Sequence, residues 1–125
     1  MNKVSREAET EQLIDAIVEG IQRKKGIDLV KIDLTKINHS EFRHFIICHG
    51  NSNTQVDAIA HSVEDTVTEL LNEKTWHTDG YRNSLWILLD YADVVVHIFQ
   101  KDARQFYDLE NLWADAHIEI IKEEN

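Results

Sequence analysis

The turn Gly50-Asn51-Ser52 lies between an apolar run and a helical pattern. Free backbone N–H groups at such a helix start attract anions, so a phosphate would be the ligand to expect. Neither glycine-rich nucleotide fingerprint surrounds it, however, and the turn reads first as a capped helix start. Asp90 and Asp93 stand three apart and could chelate a divalent ion. Two carboxylates are a thin ligand set for magnesium, which favours a structural turn. His39, His44 and His49 recur every five residues, a spacing that invites zinc. On a strand, a five-residue step sends His44 and His49 to opposite faces, so they cannot share one ion. The same alternation separates Cys48 from His49, leaving the thiol without a neighbouring base and reading it as a buried structural cysteine. No catalytic residue, metal site or cofactor is expected.

A different set fits recognition. Trp86, Asp90, Tyr91 and Asp93, with the later Tyr107 and Trp113, mix aromatic rings and carboxylates. On a protein-binding surface the rings serve as anchors and the carboxylates steer a basic partner; for any single ring, packing in the core is the default reading. We take Trp86, Asp90, Tyr91 and Asp93 as the candidate partner-binding residues. Overall charge agrees: 13 Lys and Arg against 23 Asp and Glu give −10. Phosphate backbones repel such a chain, so direct nucleic-acid readout is not expected. From Ser84 onward there are nine acids and three bases, a balance of −6, against −4 over the other 83 residues. That density suits a basic protein or a metal, although acidic surfaces also serve solubility alone.

Positioning these residues requires a definite set of elements. Leu13, Ile14, Ile17, Val18 and Ile21 make one apolar stripe, predicting a helix over about 7–25 with Gly26 at its C-terminal cap. Val30, Ile32 and Leu34 alternate with Lys31 and Asp33, predicting a strand over 28–34. A second strand over 43–49 is continuously apolar at Phe45-Ile46-Ile47-Cys48, as expected when both faces are covered. Ser52 and Gln55 have capping-box spacing before a helix carrying Val56, Ile59, Ala60, Val63, Val67, Leu70 and Leu71 and ending near Asn72. Asp79-Gly80 marks a turn. Strands over 85–89 and 94–99 are joined tightly enough to be antiparallel neighbours. A helix over 103–114 follows, and the tail reads equally as strand or frayed helix. The fold class is α/β, one mixed sheet with helices on both faces.

With 125 residues, 42% of them hydrophobic, this is one domain with a real core, and the absence of proline excludes low-complexity readings. One cysteine precludes an internal disulfide and fits a reducing compartment. The longest apolar run, Leu85 to Leu89, falls far short of the roughly 20 residues of a membrane span. Residues 1–7 lead into polar sequence instead of a secretory apolar region. A soluble, cytoplasmic protein with no membrane partner is expected.

Taken together, Asp28 to Leu34, Phe45 to Ser52, Gln55-Val56, Trp86 to Phe99 and Arg104 to Trp113 resemble the Iojap-related ribosomal silencing factor family. The similarity covers about residues 10–114, leaving 115–125 as a tail of open role. Its most specific part is Trp86, the Asp90-Tyr91-x-Asp93 turn, Val95-Val96-His97, and Arg104-x-Phe106-Tyr107-x-Leu109-Glu110-x-Leu112-Trp113. The resemblance implies a nucleotidyltransferase-like fold without transferase activity. It also implies binding to the large ribosomal subunit through its universal protein numbered fourteen, which blocks joining of the small subunit and represses translation. Ala92 stands where the family usually has glycine, and Cys48-His49 replaces smaller residues. A nucleotide-using enzyme built on Gly50-Asn51-Ser52 is the rival reading, and a homodimer burying the same apolar patch is a further possibility.

Overall fold

The computed structural model describes residues 3–37 and 43–122. Helix α1 (Lys3–Arg23) is followed by strands β1 (Ile27–Asp33) and β2 (His44–Gly50), then helix α2 (Asn53–Leu71). Strands β3 (His77–Asp79), β4 (Trp86–Asp90) and β5 (Val94–Gln100) come next, and helices α3 (Lys101–Tyr107) and α4 (Leu109–Leu112) precede strand β6 (His117–Ile120). The strands form one sheet in the order β3-β4-β5-β2-β1-β6. Only β2 and β5 run parallel; the other pairs are antiparallel. The mixed sheet predicted from the apolar patterns is therefore present.

Alternation along the strands builds two apolar layers. Ile46, Cys48, Ile87, Leu89, Val96 and Ile98 face α1 and α2, where Leu13, Ile17, Ile21, Val56, Ile59, Val63 and Val67 meet them. Val30, Ile32, Phe45, Ile47, Val95 and Phe99 face the other way, toward Leu109 and Trp113. The central strands β2 and β5 are buried almost throughout, as the uninterrupted apolar run of β2 requires. Where α1 crosses α2, a Cβ on Gly20 would lie 2.7 Å from the Val63 Cα, and Ser62 donates to the Gly20 carbonyl at 2.8 Å.

The ends of the elements refine the sequence reading. At the end of α1 the left-handed residue is Lys25 (φ 58°), not Gly26. Lys25 N–H bonds to the Gln22 carbonyl and Gly26 N–H to that of Ile21, a Schellman arrangement with Gly26 one place further on. The single helix expected over 103–114 is two, because Asp108 turns left-handed (φ 49°) between α3 and α4. The undecided tail is a strand: β6 pairs antiparallel with β1, Ile118 opposite Ile32. Strand β3, just before the predicted Asp79-Gly80 turn, carried no sequence signal at three residues.

Candidate functional site

The start of β4 places Trp86 on the face away from α1 and α2, opposite Phe99 of β5. There the half-buried indole lies with ring centroids 4.9 Å from Phe99 and 4.7 Å from Tyr107. Its Nε1–H donates to His97 Nδ1 at 3.1 Å. Phe106 stands edge-on to Tyr107 at 5.1 Å. Phe106 is 82% exposed and Tyr107 51%, so Trp86, Tyr107 and Phe106 form an open aromatic ridge. Surface aromatics that are already packed on one side lose little conformational freedom on binding and make good anchors.

Buried Arg104 fixes the base of this ridge. It donates to both carboxylate oxygens of Glu110 at 3.3 and 3.2 Å, to the Ile27 carbonyl at 3.3 Å and to His49 Nδ1 at 3.0 Å. The clasp holds α4 against α3 across the Asp108 break and ties both to β1 and β2. Bidentate Arg–carboxylate pairing gives it directional rigidity.

The four candidate partner-binding residues do not share one patch. Asp90 is half-buried on the Trp86 face at the far end of β4, where its Oδ1 accepts the Ala92 N–H at 2.7 Å. Tyr91 points the other way, into the layer beneath α1 and α2, and is 6% exposed. Its hydroxyl has no hydrogen-bond partner among the described residues, and burial raises its pKa well above the ordinary tyrosine value. Asp93 receives Arg6 of α1 at 2.6 and 3.1 Å, and Thr10 at 3.4 Å. The Arg6 hydrogen bond holds its carboxyl below the usual range. Of the later aromatics, Tyr107 joins the ridge, while Trp113 packs against Phe45 at 6.0 Å.

Phe106 is a ridge residue outside the four partner-binding candidates drawn from the sequence. Neighbours on a helix point about 100° apart, and with Tyr107 turned onto Trp86, Phe106 is left facing outward.

The turn itself carries strain. Ala92 has φ 72°, a left-handed conformation that suits glycine, pinned by the Asp90 carboxylate. Ala92→Gly is expected to stabilise the protein by about 0.5–1 kcal/mol, glycine's lower left-handed cost outweighing its greater entropy loss on folding. Urea unfolding checks this through a higher midpoint at unchanged slope.

The remaining motifs resolve structurally. Cys48 belongs to the layer under α1 and α2, where burial pushes its thiol up to about 12, while His49 lies on the other face against Arg104. His44 and His49 lie five residues apart on β2 with opposite facing, and His39 lies outside the described residues. At Gly50-Asn51-Ser52, Ser52 Oγ accepts the Gln55 N–H at 3.1 Å. Gln55 Oε1 takes the Asn51 N–H at 2.8 Å, and its Nε2 reaches the Lys24 and Lys25 carbonyls at 3.4 and 3.2 Å. Gln55 thus occupies the turn and splices it to the end of α1.

Acid should loosen the fold through its histidines. Burial lowers His97 to about 4 and also depresses His44 and His49. Between the ordinary histidine pKa and these values the unfolded chain binds more protons, so stability is lost as pH falls. His97 alone accounts for about 3 kcal/mol between neutral pH and pH 4. Urea unfolding at pH 7 and pH 4.5 should show the decline, and His97→Phe should reduce it.

The family described as "Ribosomal silencing factor during starvation" matches residues 7–125, a span that includes β6. A ribosomal silencing factor of Halalkalibacterium halodurans is 40% identical over 107 residues, covering 85% of this chain and 89% of that protein. The chloroplast protein Iojap of Zea mays is 45% identical over 74 residues, 59% of this chain and 32% of its own length. A crystal structure from Chromobacterium violaceum superposes with a TM-score of 0.78 at 33% identity, covering 83% of this chain and 85% of that one.

Proposed function

The chain belongs to the family of ribosomal silencing factors, and from that premise we propose that it binds the large ribosomal subunit and sterically blocks joining of the small subunit, repressing translation. The observation that carries this reading is the open Trp86–Tyr107–Phe106 ridge on a chain of net charge −10. Ribosomal proteins that hold RNA are basic, so an acidic body with a rigid aromatic anchor is suited to a protein face of the ribosome rather than its RNA. The family resemblance makes the universal protein numbered fourteen the partner. Trp86 is the anchor and Asp90 the carboxylate on its face; Asp93, paired with Arg6, contributes through the shape of the turn.

The nucleotide-using alternative would need the N–H groups of Gly50-Asn51-Ser52, yet Gln55 holds that turn. Calorimetry with ATP or CTP and magnesium should give no binding heat; micromolar binding would revive it. Away from the ribosome, the ridge is also the surface a second copy would bury. Light scattering with and without large subunits tests that state.

Co-sedimentation with purified subunits tests the proposal. The protein should pellet with large subunits near one to one, progressively less as salt rises, and stay in the supernatant with small subunits. Recovery in the supernatant with large subunits would overturn it.

A further inference from the structure

The Trp86 indole has one polar atom, and the fold uses it internally. His97 lies on the neighbouring strand β5, paired with Leu88 and so diagonal to Trp86 across the ladder. Its Nδ1 accepts the indole N–H, which places the imidazole proton on Nε2. The ring is 4% exposed and is wedged edge-on against Phe45 at 4.5 Å and stacked toward Phe99 at 6.3 Å. A wedged ring is a fixed acceptor, unlike a solvent water or a flexible surface side chain.

We infer that His97 is the positioning residue for the Trp86 anchor: it fixes the indole's orientation and consumes its only donor, so the partner meets a bare ring face. This rests on the reading of the Trp86 face given above and adds the chemistry of the contact. The counter-surface needs no hydrogen-bond acceptor for the indole. It is met instead by aliphatic stems and cationic heads of lysine or arginine, which pack on an aromatic face by dispersion and cation–π attraction. Substituting His97 by phenylalanine keeps a ring of similar size and removes the acceptor.

The test is a double-mutant cycle for binding to purified large subunits, using Trp86→Ala, His97→Phe and the double variant. His97→Phe is expected to weaken binding roughly tenfold when Trp86 is present and to add no loss when it is absent. Normal affinity of His97→Phe alongside weak binding of Trp86→Ala would overturn the inference and leave the face assignment intact. Normal affinity of Trp86→Ala would overturn the face assignment, and the inference with it. A measurement on the unmodified chain stands even if His97→Phe fails to fold. In a ¹⁵N-tryptophan sample, the Trp86 indole proton should exchange with solvent at least ~10-fold more slowly than that of Trp76, which is 81% exposed. Equal exchange rates would show that His97 does not hold the indole.

Discussion

Gly80→Ala is expected to destabilise the protein by about 3 kcal/mol or more and to disable large-subunit binding in whatever fraction remains folded. Gly80 follows β3 with φ 92°, in the left-handed region where a side chain is strained. A Cβ there would lie 1.8 Å from the Trp86 carbonyl oxygen and 3.0 Å from the Ile87 Cα. Those are backbone atoms of β4 and cannot swing aside like a side-chain tip. The loop that follows is closed by Ser84 N–H on the Gly80 carbonyl at 3.0 Å, so displacing Gly80 also moves the approach to β4. The strand start that must yield is the one carrying the anchor. Gly50→Ala is the control: the nearest atoms its Cβ would meet belong to the Gln55 side chain, at 3.2 Å. Urea unfolding should show a large drop in midpoint for Gly80→Ala and a much smaller one for Gly50→Ala. Equal midpoints for the two variants would refute the clash.

Trp86→Ala should lower affinity for the large subunit about 30-fold, some 2 kcal/mol, with the fold retained. The loss comes from removing a ring already held by Phe99, Tyr107 and His97, so that no ordering cost offsets its contact area. Trp76→Ala removes an equal ring that is 81% exposed at the opposite end of β4 from Trp86, where its backbone N–H bonds to the Asp90 carbonyl at 2.8 Å. It should leave affinity within twofold. Equal losses for both substitutions would mean that any exposed tryptophan serves, against a specific anchor.

Much of the architecture was legible because local pattern and tertiary role agree. Phe45 to Cys48 reads as a strand covered on both faces and is one, and the spacing from Val56 to Val67 gives the buried face of α2. The opposed facing of Cys48 and His49 follows from strand alternation alone. What was not legible depends on partners distant in sequence. Asp93 reads as a free surface carboxylate until folding brings Arg6, 87 positions away, against it. Tyr91 reads as a surface anchor beside two acids, but strand alternation and α2 bury it. Phe106 faces outward because Tyr107 beside it turns onto Trp86, which is distant in sequence. The tail becomes β6 only because β1 offers it an edge. The proposal that Trp86 meets the partner rests on resemblance and exposure together, since aromatic content alone does not separate an anchor from a core residue.

Steric exclusion is tested most directly by mixing purified large and small subunits with increasing protein and resolving them on a sucrose gradient. The account predicts that the joined peak falls in proportion to the fraction of large subunits carrying the protein, with free subunits accumulating. Undiminished joining by large subunits demonstrably loaded with the protein would contradict it.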